Sequence, residues 1–244
     1  SVVYFNLFFQ INTLILAIQT KETHMQVESY SVEHPLGEFT KIKYNGFGNV
    51  TLKHGENPML RVSSKIDVHD AIKHEIRDGE LRLKVRDSVS LGLKSLMTLE
   101  SPDLKLEIIY DTLEALNFNG MGNLQNIGVI EGFDFRVVNN GVGKMALNVD
   151  VKALYSKLDG AGSLELQGTA EEHSCNLNGA GKIDAQKLEA EMAKAIANGI
   201  GSILIFASKK LEAKLVGIGN IKHYGNPEKI ESRIQGVGSI RPNS

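Results

Sequence analysis

Leu158-Asp-Gly-Ala-Gly-Ser-Leu164 and Leu177-Asn-Gly-Ala-Gly-Lys-Ile183 are two copies of one short phrase, and this phrase decides the fold. Each copy contains, in this order, a glycine, an apolar residue, a second glycine, a small or polar residue and an aliphatic residue. Seven copies follow one another at nearly constant spacing from Leu116 to the C-terminus. Their first glycines are Gly120, Gly141, Gly160, Gly179, Gly199, Gly217 and Gly236. An earlier copy, Asn45-Gly-Phe-Gly-Asn-Val50, stands near the start of the chain.

A fixed period of about 19 residues is typical of a solenoid, in which each unit buries its apolar face only against its neighbours. Common helical repeats are longer, so the period favours a β-solenoid or a leucine-rich array. Aliphatic residues two positions before the first glycine and four positions after it show the alternation of a strand. Because stacked strands are about 4.8 Å apart, seven coils predict a prism roughly 34 Å long.

The place of the glycines within a coil has two interpretations. If the phrase is one extended strand, both glycines face the interior and let opposite walls of the coil approach each other. If the phrase turns a corner, the glycines supply positive φ angles, and the Asn or Asp before them hydrogen-bonds along the stack. We favour the strand; in both interpretations these residues are structural.

The composition narrows the class of protein. The chain has 244 residues, of which 42% are hydrophobic and none is Trp, and its net charge is −2. It has neither a basic patch nor an acidic tail, so no nucleic acid is expected as a partner. Cys175 is the only cysteine, which excludes a disulfide within the chain.

The chain divides into three predicted parts: an apolar leader (1–24), an N-terminal β part of the solenoid domain (25–115) and the regular repeat coils (116–244). In the leader, residues 1–18 are apolar but interrupted by polar side chains, whereas a membrane span needs about 20 cleaner residues. We therefore interpret it as the remnant of a secretion signal, with a segment packed on the fold and a cloning artefact as alternatives. No stable membrane span is expected in the mature protein.

Local patterns predict several elements between the repeats. Asp78-Gly79 followed by alternating aliphatic residues predicts a hairpin. Ala71 to Ile76 predicts a short helix, and residues 87–101 predict a loop. Ala185 to Ala197 consists of strong helix formers. It nevertheless spans an ordinary repeat length with a strand partner on both sides, so we predict a strand there.

The chain resembles a known bacterial family, the head GIN domain of putative auto-transporter adhesins. The resemblance covers about residues 39–241 and is carried by the serial glycine phrases, by Arg77-Asp-Gly-Glu-Leu81 and by Ser101-Pro-Asp-Leu104. Its most specific part is Gly219-Asn-Ile-Lys-His-Tyr-Gly-Asn-Pro227 followed by Gly236-Val-Gly-Ser-Ile240. The resemblance implies an all-β fold, a right-handed parallel β-helix, in an exported or surface-associated protein without an assigned catalytic activity.

The residue between the two glycines departs from this family, in which it is usually small and polar. Here it is apolar in every copy: Phe47, Met121, Val142, Ala161, Ala180, Ile200, Ile218 and Val237. If these side chains face outward, they form an apolar stripe larger than a monomer normally exposes. Either the leader or a loop covers the stripe, or it binds a partner. The candidate residues for a partner surface are Met121, Val142, Ile200, Ile218 and Val237.

The sequence contains no motif typical of a cofactor or metal site. The glycine phrases lack the third glycine of a dinucleotide fingerprint, and no Gly-x4-Gly-Lys-Ser/Thr motif occurs. His69 and His74 are five positions apart, which is poor spacing for zinc. Neither a cofactor nor a metal is expected.

Two patterns were considered for catalysis. His173 and Cys175 share one face of a strand, but a third, orienting group is missing from the pattern. Asp134, Glu171 and Glu172 do not recur at one offset in the repeats, so we interpret them as a charged solvent face rather than as the carboxylates of a polysaccharide-cleaving enzyme.

These patterns and the resemblance predict a non-enzymatic, exported β-solenoid that serves as an adhesin-like binding or structural module in the periplasm, the outer membrane or at the cell surface. Stacked equivalent positions suit repetitive ligands, so a glycan or surface polymer is the expected partner. Two alternatives stay open. One is a polysaccharide-active β-helix enzyme, which needs carboxylates about 5 to 9 Å apart in a groove. The other is an assembly scaffold that self-associates through the apolar stripe.

Overall fold

The computed structural model describes residues 30–65, 67–86 and 103–243. The leader and the predicted loop at 87–101 lie outside these residues. The described chain is almost entirely strand, joined in one sheet that winds through about seven turns spaced about 19 residues apart. The prediction of an all-β solenoid with coils of this length is confirmed.

Eighteen strands and one short 3-10 turn, His69–Ala71, make up the described part of the chain. The strands are β1 (Tyr30–Pro35), β2 (Lys41–Phe47), β3 (Asn49–His54), β4 (Met59–Ser64), β5 (Ile72–Arg77), β6 (Glu80–Val85), β7 (Lys105–Tyr110), β8 (Ala115–Met121), β9 (Leu124–Ile127), β10 (Ile130–Asn139), β11 (Val142–Leu158), β12 (Ala161–Leu177), β13 (Ala180–Ala197), β14 (Ile200–Phe206), β15 (Lys210–Leu215), β16 (Ile218–Tyr224), β17 (Lys229–Ile234) and β18 (Val237–Pro242).

Two long walls of parallel strands meet at the glycine phrase. Wall 1, which precedes the phrase, stacks β6, β2, β8, the end of β10, the ends of β11 to β13, β15 and β17. Wall 2, which follows the phrase, stacks β7, β3, β9, the starts of β11 to β13, β14, β16 and β18. The first part of β10 and the middle parts of β11 to β13 form a shorter wall 3, which connects wall 2 to wall 1.

Inward-facing aliphatic side chains at the same coil position stack on one another to form the core. In wall 2, Leu164, Ile183 and Ile203 are paired in successive coils, and all three are fully buried. Burying one such side chain contributes about 1.5–3 kcal/mol. The requirement for an aliphatic residue at each of these positions explains why the repeat is visible in the sequence.

The glycine phrase forms the corner between wall 1 and wall 2, so the favoured interpretation as a continuous strand is wrong. Strands end at Leu158 and restart at Ala161, with a bend at Gly160 between them. The second glycine of the phrase has a positive φ angle, for example +154° at Gly162. A Cβ at Gly160 would overlap the carbonyl oxygen of Gly141 in the preceding coil. The neighbouring coil, rather than the opposite wall, therefore requires glycine.

Polar side chains before the first glycines link the coils along this corner. Asn119 donates to Asn45 at 3.1 Å, and Asn140 donates to Asn119 at 2.6 Å. Asn198 donates to Asn178 at 2.9 Å in the same way. The early copy of the phrase lies directly beside the array, because Asn45 pairs with Asn119 in the parallel register of β2 and β8.

The N-terminal end of the solenoid is covered by antiparallel strands. β4 pairs with β7 and β1 pairs with β4, while β5 and β6 form the predicted hairpin around Asp78-Gly79. The prediction of a short helix at Ala71 to Ile76 is wrong. Residues 72–77 form β5, because pairing with β6 leaves Ile72 and Ile76 packed against the core. The strand predicted at Ala185 to Ala197 is confirmed within β13.

Candidate functional site

The outer side of the corner carries the middle residues of the glycine phrases. They pair in successive coils in the order Phe47, Met121, Val142, Ala161, Ala180, Ile200, Ile218 and Val237, and we call this set the apolar corner. Met121 is 65% exposed, Ile200 62% and Val237 69%. All five candidate partner residues therefore lie on one exposed edge of the molecule, about 34 Å long for eight stacked positions.

The apolar corner is only one residue wide. On one side it borders the Asn and Asp residues that precede the first glycine, and on the other side it borders the position after the second glycine, which holds Lys144, Ser163 and Lys182. A partner that covers it must therefore contact a narrow apolar edge between two polar borders.

A second surface feature is a groove of about 840 Å³ where wall 3 meets wall 1. Its lining includes the rings of Phe133 and Tyr155, the buried ring of Phe135, and charged side chains from several coils. We call this feature the aromatic groove. Its charged lining residues are Glu114, Glu131, Asp134, Arg136, Glu172, Lys194, Lys210 and Glu212.

Cations hold the rings of Phe133 and Tyr155 in place. Phe133 is 72% exposed, and the Lys152 ammonium lies 4.8 Å from its ring centroid. Arg136 and Tyr155 are paired across β10 and β11, and the Arg136 guanidinium carbon lies 4.0 Å from the centroid of the Tyr155 ring. Cation–π contacts of this kind orient the rings and leave part of each ring free for a ligand.

The far end of the groove is a network of paired charges. Lys210 donates to Glu212 at 2.5 Å, and Lys194 lies 3.6 Å from Glu212. The hydrogen bond from Lys210 lowers the pKa of the Glu212 carboxyl. This end therefore presents fixed, oppositely charged groups to any ligand that enters the groove.

Two carboxylates of the groove lie in one stacked row. Asp134 pairs with Ala153, and Ala153 pairs with Glu172. The two acidic residues are thus two strand spacings apart, about 9.6 Å along the stack. The sequence interpretation that these carboxylates do not recur at one offset is wrong for this pair, because their separation in the sequence equals two coils. Glu171 does not line the groove.

The two residues considered for thiol chemistry lie in the core. His173 and Cys175 face inward and are buried, and a hydrogen bond of 2.8 Å joins His173 Nε2 to Ser156 Oγ. Burial lowers the pKa of His173 to about 3 and raises the pKa of Cys175 to about 12. A thiol with this pKa is protonated at neutral pH, so this pair does not form a nucleophile.

His74, one of the two histidines of the zinc pattern, lies beside another histidine ring. The His74 ring packs on His34 with centroids 4.9 Å apart, and burial together with His34 lowers the pKa of His74. Within 30–65, 67–86 and 103–243, no three His, Cys, Asp or Glu residues are grouped to hold a metal ion. The same residues contain no helix with the length and apolar content of a membrane span.

The comparison with protein families decides the classification of the chain. A family described as putative auto-transporter adhesin, head GIN domain, matches residues 38–227. The chain belongs to this family. The resemblance found in the sequence is therefore confirmed over nearly the same range.

Solved structures similar to this GIN domain are named as adhesins or as a lipid-binding protein. A putative adhesin from Bacteroides fragilis has a TM-score of 0.80 and 23% identity, covering 88% of this chain and 97% of that one. A putative adhesin from Parabacteroides merdae has a TM-score of 0.66 and 18% identity, covering 88% and 96%. A putative lipid binding protein from Parabacteroides distasonis has a TM-score of 0.62 and 22% identity, covering 88% and 97%. At these identities the likeness shows the fold, and no curated protein sequence matches the chain.

No sequence motif of the GIN domain indicates the aromatic groove. The corner between wall 3 and wall 1, where the groove lies, carries no recurring glycine phrase in the sequence. One signal was present, since Arg136 and Tyr155 are one repeat length apart in the sequence and therefore occupy the same coil position. An aromatic residue that shares a coil position with a cation one repeat length away indicates a surface position rather than a core position.

Proposed function

We propose that this GIN domain is a non-catalytic, exported adhesin-like binding module of the bacterial cell surface or periplasm, and that the aromatic groove binds a glycan or another surface polymer. The observation that carries the proposal is the pair of cation-supported rings, Phe133 and Tyr155, in an open groove of about 840 Å³ lined by charged side chains. Family membership supports adhesin-like binding, and the groove supplies the chemistry for it.

The lining of the groove matches the two faces of a sugar. The C–H face of a sugar ring packs on an aromatic ring, while the hydroxyl groups need charged or polar partners that fix their orientation. Arg136, Glu172 and Lys194 line the same groove and can supply such partners. Paired positions recur about every 4.8 Å along the stack, so a polymer lying along the groove would meet in turn the different side chains of one row, which are Arg136, Tyr155, Ser174, Lys194 and Glu212. One solved relative is named a lipid binding protein, so lipids belong in the binding test.

Replacing Phe133 and Tyr155 by Ala is expected to weaken glycan binding by about tenfold or more, because each lost ring removes apolar contact and its share of sugar stacking. The measurement is binding of the wild type and of the double variant to a glycan array, followed by titration calorimetry with the best glycan. Tyr30→Ala is a matched control, because Tyr30 is an exposed aromatic residue of β1 outside the groove.

Three outcomes contradict the proposal. One is an equal loss of binding in the groove variant and in the Tyr30→Ala control. Another is binding to phosphatidylcholine vesicles with no binding to any glycan. The last is cleavage of a bound polysaccharide that stops in Glu172→Gln or Asp134→Asn, which would make the aligned carboxylates catalytic and the domain an enzyme.

A second candidate function, an assembly scaffold, is favoured by the exposed apolar corner. Such a surface is unusual for a monomer, and burying it between two copies would remove several large aliphatic side chains from water. The leader or the segment at 87–102 is the alternative cover.

Changing Ile200 and Ile218 together to Ser is expected to convert a self-associated form into a smaller one, because both residues lie on the exposed side of the apolar corner. The measurement is light scattering of the chain without residues 1–24. The control is Ile127→Ser with Val129→Ser, which removes exposed aliphatic residues of 53% and 37% exposure outside the corner. If both variants leave the mass unchanged, the apolar corner does not mediate self-association.

A further inference from the structure

Among residues 30–65, 67–86 and 103–243, no strand covers the last coil of the solenoid, whereas strands do cover the first coil. In the described part of the chain, β17 and β18 have no strand beyond them, whereas β1, β4 and β5 add antiparallel strands at the other end. Ile230 and Ile234 stack on Leu211 and Leu215, which are fully buried, yet they are 47% and 48% exposed. The last coil therefore exposes part of the core together with an unpaired strand edge.

The free edge of β17 presents a regular set of backbone groups. The amides of Lys229 and Gln235 donate inward, to Lys209 at 3.1 Å and to Leu215 at 2.7 Å. Backbone groups of a strand alternate in direction, so the N–H and C=O groups of Ile230, Ser232 and Ile234 point away from the solenoid. An unpaired row of this kind is a template for another strand.

The edge of β18 is less suited to pairing. Its residues with outward N–H and C=O groups are Gly238, Ile240 and Pro242, since the amides of Val237 and Asn243 donate inward. Pro242 has no N–H group, and proline at an edge position opposes strand addition. The free edge that accepts a partner is therefore β17.

The side chains of β17 are complementary to a second copy of the same strand running antiparallel. With Ser232 on the two-fold axis, Ile230 lies opposite the Ile234 of the second copy, and Glu231 lies opposite its Arg233. Residues directly opposite each other share one face of the sheet, so the aliphatic pair continues the core and the charged pair lies outside. Arg233 forms no ion pair with another described residue, so its charge is available to a partner.

The neighbouring registers are unfavourable. A two-fold axis at Glu231 would place Glu231 opposite Glu231 and Lys229 opposite Arg233, and like charges directly opposite destabilise a strand pair. An axis at Arg233 would likewise place Arg233 opposite Arg233. An axis at Ile230 pairs Glu231 with Lys229, but it leaves only residues 229–231 of each β17 paired with each other and brings Arg233 opposite Pro227, which lies outside β17. Like charges therefore disfavour the two registers adjacent to Ser232, and the short overlap disfavours the axis at Ile230.

We propose that two copies of this chain associate tail to tail, by antiparallel pairing of β17 with β17 about Ser232. The partner is a second copy because the strand is self-complementary in charge and in apolar residues. Three residues on each copy exchange N–H···O=C hydrogen bonds across the axis, which gives six in all. The paired residues of β17 do not line the aromatic groove, although Glu231 lies 3.8 Å from the groove residue Lys210, and they lie outside the middle of the apolar corner.

The test is a charge swap in the full chain, followed by sedimentation velocity over a wide range of concentration. The wild type is expected to reach twice its mass of 26.7 kDa. Glu231→Arg and Arg233→Glu each place like charges opposite one another at two symmetric positions, so each is expected to raise the dissociation constant by about tenfold or more. The double swap Glu231→Arg with Arg233→Glu restores both pairs and is expected to restore the dimer.

Mixing the two single variants provides a further check. In the mixed dimer, the arginine introduced by Glu231→Arg faces the glutamate introduced by Arg233→Glu. At the other position, Arg233 of the first variant faces Glu231 of the second, and both of these residues are unchanged. Association is therefore expected to return although neither variant dimerises alone. Circular dichroism spectra that match the wild type would show that both variants fold. A wild type that stays monomeric, single variants that dimerise as well as the wild type, or a mixture that stays monomeric would each overturn the proposal.

Discussion

Replacement of Gly179 by Val is expected to lower the free energy of unfolding by about 3 kcal/mol or more, and the same change at Gly160 is expected to act similarly. A Cβ at Gly179 would overlap the carbonyl oxygen of Gly160 and lie 2.6 Å from the carbonyl oxygen of Asp159. The Gly160 oxygen accepts a hydrogen bond of 3.1 Å from Ala180 that joins the two coils. This oxygen cannot move away without breaking a bond of the stack.

The destabilisation expected for Gly179→Val extends beyond one contact, because the backbones of successive coils stack continuously along the corner. The Gly179 oxygen in turn accepts a hydrogen bond of 3.0 Å from Ile200 of the next coil. Each coil of a solenoid depends on the contacts with its two neighbours, so a displaced backbone weakens coupling on both sides. We therefore expect a less cooperative transition in addition to a lower melting temperature.

The measurement is thermal and urea unfolding followed by circular dichroism. Gly132→Val is a matched control, because Gly132 lies in β10 and a Cβ there would have no atom within 4 Å. Valine suits an exposed strand position, so the control is expected to change the unfolding free energy by no more than about 0.5 kcal/mol. An unchanged melting temperature of Gly179→Val would contradict the close approach of the coils at the corner.

The sequence predicted the solenoid because the coils must repeat the residues that stack. Leu164, Ile183 and Ile203 occupy one position of the coil and touch each other, so the same kind of side chain returns at each turn. The same pattern did not show whether the glycine phrase forms a corner or a continuous strand. Leu158 and Leu164 face inward whether the chain between them is straight or bent, and an even spacing fits both.

The groove depends on register, which a single sequence shows poorly. The coils differ in length, since Gly120 and Gly141 are farther apart in the sequence than Gly199 and Gly217. The pairing of β12 with β13 also shifts between Glu165 and Gln167. A constant spacing in the sequence therefore identifies the residues that stack on one another over only one or two coils.

The local prediction at Ala71 to Ile76 failed for a related reason. Pairing of this segment with β6 is a contact between separate parts of the chain. Such a contact outweighs the weak helical preference of a short segment, because an isolated helix of this length is marginal in water.

Acidification from pH 7 to about 4.5 is expected to cost about 2–3 kcal/mol of stability through His173. Burial lowers the pKa of His173 to about 3 in the folded protein, whereas a histidine in an unfolded chain has a pKa of about 6.5. Below pH 6.5 the unfolded chain binds a proton that the folded chain does not. The contribution is therefore complete above about pH 6.5 and is lost progressively as the pH falls towards 3.

The pKa of His173 is lowered because its buried position does not stabilise a positive charge. His173 lies between Leu154 and Ala193 in the core, and its Nδ1 has no hydrogen-bond partner among the described residues. A protonated ring would leave an N–H group and a positive charge buried without compensation. Burial also lowers the pKa values of His74 and His223, which adds to the acid sensitivity with the same sign.

His173→Gln separates the effect of this one residue, because glutamine keeps a group that can hydrogen-bond to Ser156 but does not titrate in this range. The measurement is the free energy of urea unfolding of the wild type and the variant between pH 7.5 and pH 4.5. We expect the variant to be less stable than the wild type at pH 7.5 and to lose less stability on acidification. Parallel pH profiles would mean that His173 takes up its proton equally in both states, contrary to its position in a dry, apolar core.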